Sequence, residues 1–204
     1  MQVIQPDARG IADMSPFLQD WYSIGASPVD VPDGVFPLEM VAALAEHIGA
    51  FTTTAPTSFA PESPGGEAVT APPVRMGANV TFLGYEQTVN EVYHPGDIVP
   101  VITYWRIDGL LPPDVQFFVH ILSDPTVIAV QWDNVSEIPA QLKPRDVVIQ
   151  VAYMQLPYQI PAGSYRISVG AYTATDDNRL LIYDGDTPRG TRLFLGQITV
   201  QRTG

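Results

Sequence analysis

The chain has 204 residues, 46% of them hydrophobic, which is enough for one sizeable core plus a smaller appendage and too apolar for a disordered chain. Its 22 acidic and 10 basic side chains leave a formal net charge of −12, which repels a phosphate backbone or an anionic lipid surface and argues against nucleic acid as a partner. The absence of cysteine excludes disulfides, iron–sulfur clusters and thiolate zinc sites, and no stretch nears the roughly 18 consecutive apolar residues that span a bilayer.

The first ten residues lack a basic start followed by an apolar run, so no secretory signal is expected there. Residues 1–51 hold one helix candidate near 37–48. Pro37 suits a first turn, Leu38, Val41, Leu44 and Ile48 share one side, and Gly49 is a stop. A single helix in about fifty residues rarely folds alone, so its apolar stripe is expected to pack on the rest of the chain or on a partner. Residues 52–74 are rich in Thr, Ser, Pro, Ala and Gly and read as a linker or surface strap.

From Arg75 onward, short apolar runs alternate with Pro, Gly, Asp and Asn. Strands are predicted at Val80–Tyr85, Ile98–Ile107, Val115–Leu122, Val127–Asp133, Asp146–Met154, Ser164–Tyr172, Arg179–Tyr183 and Thr191–Val200. With no helical pattern between them, they predict an all-β domain over 75–204. The expected form is an antiparallel two-sheet sandwich of immunoglobulin or carbohydrate-binding-module type. Strand parity assigns an inward face to Val115, Phe117, Val119 and Ile121, to Ile128, Val130 and Trp132, to Val147, Ile149 and Val151, and to Tyr165, Ile167 and Val169. In the last strand the apolar parity switches from Leu193 and Leu195 to Ile198 and Val200, which predicts a bulge at Gly196.

Several pieces recur in a known order: Leu83-Gly84-Tyr85, Pro95-Gly96-Asp97 before a strand ending Tyr104-Trp105, Phe118-Val119-His120-Ile121, Gln131 with Asp133, Pro161 to Tyr172, Arg179-Leu180, and Gly196 with Ile198 and Val200. In that order, over roughly residues 76–200, the chain resembles the soluble β-sandwich domain at the C-terminus of bacterial membrane glycosyltransferases of the dolichyl-phosphate-mannose–protein mannosyltransferase type. It departs from that pattern over Glu137 to Arg145, where the family's Pro-Thr…Trp stretch is missing, and the membrane-embedded catalytic portion is absent. The resemblance implies an extracytoplasmic, glycosyltransferase-associated accessory domain without catalytic residues of its own. It would contact glycan, lipid-linked sugar or a protein partner.

Parity places Phe118 and His120 on the outer face of one strand, and Gln131 and Asp133 on the outer face of its hairpin neighbour. Such a quartet can hydrogen-bond a sugar beside the Phe118 ring, or it can be a structural network in which His120 is held by Asp133 or Gln131. The second is the more common arrangement. Asp176 and Asp177 with Asn178, and Asp184 with Asp186 around Gly185, form two acidic turns that could hold calcium. Asp and Asn also favour turns by bonding their own backbone, and this suffices to explain them. Otherwise no cofactor is expected. His47, His94 and His120 have no metal-ligand spacing. Trp105 and Trp132 share parity with core residues, and Tyr165, after Pro161-Ala162-Gly163, sits where a sandwich fold places a tyrosine corner. No nucleophile elbow, phosphate loop or zinc-protease motif occurs, so the expected function is non-catalytic binding. A structural cell-surface or assembly component is the alternative, and a glycosidase-like enzyme using surface carboxylates is a more distant one.

Overall fold

A computed structural model describes residues 2–3, 51–52, 57–60, 66–88, 92–124, 126–133, 142, 144 and 147–202. The helix expected near 37–48 lies outside them. The strands are β1 (Gln2–Val3), β2 (Phe51–Thr52), β3 (Thr57–Phe59), β4 (Val69–Thr70), β5 (Val74–Met76), β6 (Val80–Thr88), β7 (Val92–Tyr93), β8 (Ile98–Ile107), β9 (Val115–Asp124), β10 (Val127–Asp133), β11 (Val147–Gln155), β12 (Gly163–Thr173), β13 (Asn178–Arg179), β14 (Ile182–Asp184), β15 (Thr187–Pro188) and β16 (Leu193–Val200).

They form two sheets, ordered β1-β11-β8-β6-β5-β14-β15 with β2 on β6, and β10-β9-β12-β16-β3-β4 with β13 on β12 and β7 on β16. Pairing is antiparallel except between β7 and β16. The protein is therefore an all-β sandwich. Part of the stretch read as a linker belongs to it: β3 pairs with Leu193 and Phe194 of β16, and Phe59 is buried in the core.

The core lies between the sheets. Val115, Phe117, Val119 and Ile121 meet Trp105, Val101 and Val99 of β8 and Tyr165, Ile167 and Val169 of β12 in one cluster. Trp105 stacks on Phe117 at 4.5 Å between ring centroids and takes Phe82 edge-on at 5.0 Å. Each such contact contributes roughly 0.5–1.5 kcal/mol beyond area burial. Trp132 is half-buried and packs against the same cluster. The Tyr165 hydroxyl donates to the Pro161 carbonyl at 2.8 Å, making the expected corner.

The bulge expected at Gly196 is present. Arg166 pairs with Gln197 and Ser168 with Phe194, so Ile167 faces two residues, and apolar parity is restored on both sides of the extra one. Two facing assignments change. On β10, register shifts flank Ile128 and set it opposite Leu122, on the side away from the core; it is 37% exposed, while Val130 and Trp132 keep the inward side. On β11 the core face is the even one, Val148, Ala152 and Met154, rather than the odd one that parity favoured.

The reason is Gln150, whose polarity makes the even face look solvent-directed. It is fully buried because its amide is satisfied. Its Oε1 accepts from the Thr103 hydroxyl at 2.9 Å, and its Nε2 donates across the sandwich to the Phe117 carbonyl at 2.9 Å. The Trp105 indole N–H completes the chain by donating to Thr103 Oγ1 at 2.8 Å.

Candidate functional site

The structure brings the predicted quartet together. Gln131 pairs with His120 and Asp133 with Phe118 across β10 and β9. His120 Nε2 lies 2.9 Å from Asp133 Oδ1. An ionised carboxylate only accepts, so Nε2 carries the hydrogen of the neutral ring. The imidazole stacks on Phe118 at 4.4 Å. Phe118 is fully buried, with the Arg179 guanidinium 5.0 Å from its ring centroid and Tyr172 at 6.3 Å. Its ring is thus occupied by protein groups and is not an open platform for a sugar. Gln131 is exposed.

His120 itself is 3% exposed. Burial holds its imidazole below the usual 6.5; Asp133 pulls the other way, and the Arg179 and Arg192 charges add to the effect of burial. Among the described residues its buried Nδ1 makes no hydrogen bond. Neither does the Oγ of Ser168, the residue that pairs with His120 from β12. The pairing of Ser168 with His120 is not readable until β12 is known to neighbour β9. Ser, His and Asp are the side chains of a nucleophilic triad, but here the hydroxyl-to-imidazole bond that activates a serine is not made and the serine is sealed from solvent. The cluster works as a packed strut tying β10 to β9.

In the acidic turns two carboxylates, those of Asp176 and Asp186, are engaged by protein groups. Asp176 accepts from the Thr173 hydroxyl and, at 3.2 Å, from the Asn178 amide. Asp177 supplies the positive φ of the turn, 51°. Asp186 pairs with Arg75 at 3.2 Å, and Asp184 pairs with Thr187 across the β14–β15 turn. The two turns belong to different sheets. Among the described residues no group of three or more His, Cys, Asp or Glu is disposed to hold a metal ion.

A second cluster, which sequence reasoning missed, lies at one end of the first sheet. Past the pair Gln155–Ile98 the β8–β11 ladder continues through Leu156 N–H to the Asp97 carbonyl at 2.8 Å and Gly96 N–H to the Leu156 carbonyl at 3.1 Å. The chain then turns through His94-Pro95-Gly96-Asp97. Proline at the second position and Gly96 at φ 91° give a type II turn, closed by Asp97 N–H to the His94 carbonyl at 3.0 Å. The Asp97 carboxylate reinforces it by accepting the His94 amide at 2.7 Å through Oδ2.

On this turn sits Tyr158. An added Cβ on Gly96 would lie 2.6 Å from Tyr158 Cε1, so the ring rests in the space a side chain would fill. Yet Tyr158 is 79% exposed, and Ile98 (53%) and Tyr153 (44%) lie exposed at the same end, on one face of adjacent strands. Tyr158 could have been suspected from Pro157-Tyr158-Gln159, an aromatic in a turn with no strand parity to bury it. Tyr153 was hidden by the β11 face assignment.

No family model matches the sequence, and no curated protein matches it. Solved structures do. One is described as the crystal structure of the C-terminal domain of wzt; the likeness covers 72% of this chain and 82% of that one at 9% identity, with a TM-score of 0.48. Among the described residues, no helix is long and apolar enough to cross a membrane.

Proposed function

We propose that the chain is a non-catalytic accessory module that binds a saccharide, working outside the cytoplasm in association with a membrane glycosyltransferase. The observation that carries this reading is the exposed end of the first sheet, where Tyr158, Tyr153 and Ile98 stand on a rigid double-sheet scaffold. Aromatic and aliphatic groups held open beside polar side chains suit the alternating apolar and hydroxylated faces of a sugar. The ordered motifs shared with the mannosyltransferase-type domain support the setting. The sealed His120 cluster supports binding over catalysis. A glycan array tests it: saccharide binding reduced by Tyr153→Ala and Tyr158→Ala together is the expected result, and an array blank for the wild-type chain removes the proposal.

A second reading, an assembly component, draws on β10. That strand ends its sheet with Val127 54% exposed beside Ile128. Light scattering decides: a monomer at all concentrations counts against assembly.

A further inference from the structure

We infer that Tyr158 and Asp97 form a subsite for one uncharged sugar ring, with Gly96 as the residue that positions the tyrosine; this rests on the binding-module reading above. An exposed tyrosine on a loop ordinarily has no reason to be seated. Here one side of the ring is seated against Gly96, in a turn built by Pro95 and by the positive φ of Gly96. The ring's remaining surface is open to solvent.

Such a surface offers a pyranose a place for its C–H face. The polar half of the subsite comes from the next residue. Asp97 follows Gly96 by one peptide, about 3.8 Å from Cα to Cα, and so adjoins the residue on which the Tyr158 ring is seated. Among the described residues its partners, the His94 amide and, at 3.5 Å, the His94 ring, engage Oδ2 alone. The Asp97 side chain is about half exposed, so Oδ1 can accept a sugar hydroxyl. Gln155, exposed on the neighbouring strand, adds a donor and an acceptor at the same end.

The charge of the site selects the ligand class. An acidic residue next to the tyrosine's seat, on a chain of net charge −12, disfavours uronic acids, sialic acids, sulfated sugars and sugar phosphates. Uncharged hexoses and N-acetylhexosamines are accepted.

The full chain is titrated by calorimetry with a panel of uncharged oligosaccharides and with their uronate-containing and sulfated counterparts. Wild type is expected to bind members of the uncharged set only. Tyr158→Ala should weaken binding about tenfold or more, while Tyr158→Phe, which keeps the ring, should stay within about threefold. Asp97→Asn keeps an acceptor for the His94 amide and should weaken binding by about fivefold. Thermal melts of each variant separate lost binding from lost folding, and the 79% exposure of Tyr158 predicts unchanged melting for its variants. Sugar binding that is indifferent to Tyr158 and Asp97 overturns this subsite and leaves the module reading standing. Preference for the anionic panel overturns the ligand class, and a wild-type chain that binds no saccharide overturns both.

Discussion

His120 and Ser168 stand directly opposite one another on β9 and β12, and each carries a buried polar atom, Nδ1 and Oγ, that finds no hydrogen-bond partner among the described residues. An unsatisfied buried hydroxyl costs about 1–3 kcal/mol in desolvation, so its removal should help the fold. Ser168→Ala deletes one oxygen from a position that is fully buried and leaves no large void. It is expected to raise stability by about 1 kcal/mol, measured by urea unfolding with an unchanged m-value. A destabilised variant would mean that Ser168 Oγ has a partner.

The same imidazole makes stability depend on pH. Burial lowers the folded-state pKa of His120 below 6.5, so as pH falls the unfolded chain takes up the proton first. The contribution is full above pH 6.5, declines as pH drops below it at no more than about 1.4 kcal/mol per pH unit, and levels off below the folded-state pKa. His120→Gln retains a donor for Asp133 and should flatten this part of the profile. The check is the difference between wild-type and variant stability between pH 7 and about pH 5. Equal slopes would show that His120 does not carry the effect.

How far the sequence reveals this protein depends on whether a residue's environment is set locally. The alternation of Val115, Phe117, Val119 and Ile121, the Gly196 bulge and the Tyr165 corner follow from period and turn chemistry, and all are found in the structure. The His120–Asp133 contact was legible because hairpin pairing is local. β11 misleads because both of its faces are apolar in sequence and its polar Gln150 is satisfied by Thr103 on β8 and Phe117 on the other sheet, partners that only the tertiary fold supplies. That error concealed Tyr153. Tyr158 was concealed differently, since its seat is the missing side chain of Gly96, more than sixty positions away in the chain.

Gln150 offers a direct measure of the inter-sheet relay. Gln150→Leu keeps much of the volume and removes both bonds, leaving the Phe117 carbonyl without its cross-sheet donor and the Thr103 hydroxyl without its acceptor. The expected loss is about 2–4 kcal/mol in chemical denaturation, from orphaned groups that cost about 1–3 kcal/mol each. Trp105 fluorescence should shift as well, because its indole N–H bonds to that threonine. A near-neutral Gln150→Leu would show that the relay is dispensable to the core.

The tightest packing beneath the His120 cluster is at Gly170. A Cβ there would press into the Phe118 ring and lie 2.9 Å from the Thr191 carbonyl, and that backbone atom cannot rotate away as a side chain can. Phe118 cannot yield either, since His120 stacks on it and Arg179 lies over it. Gly170→Ala is therefore expected to cost about 3 kcal/mol, at or above the upper end for one added methyl group. Gly163→Ala on the same strand is the control: its Cβ would meet only Tyr165 Cε2 at 3.9 Å, ordinary contact, so the change should lie within about 0.5 kcal/mol of neutral. Paired thermal and urea unfolding of the two variants reads the difference. Similar stabilities would mean that β12 can shift away from Phe118, and the strut between β10, β9 and β12 would then be looser than its packing implies.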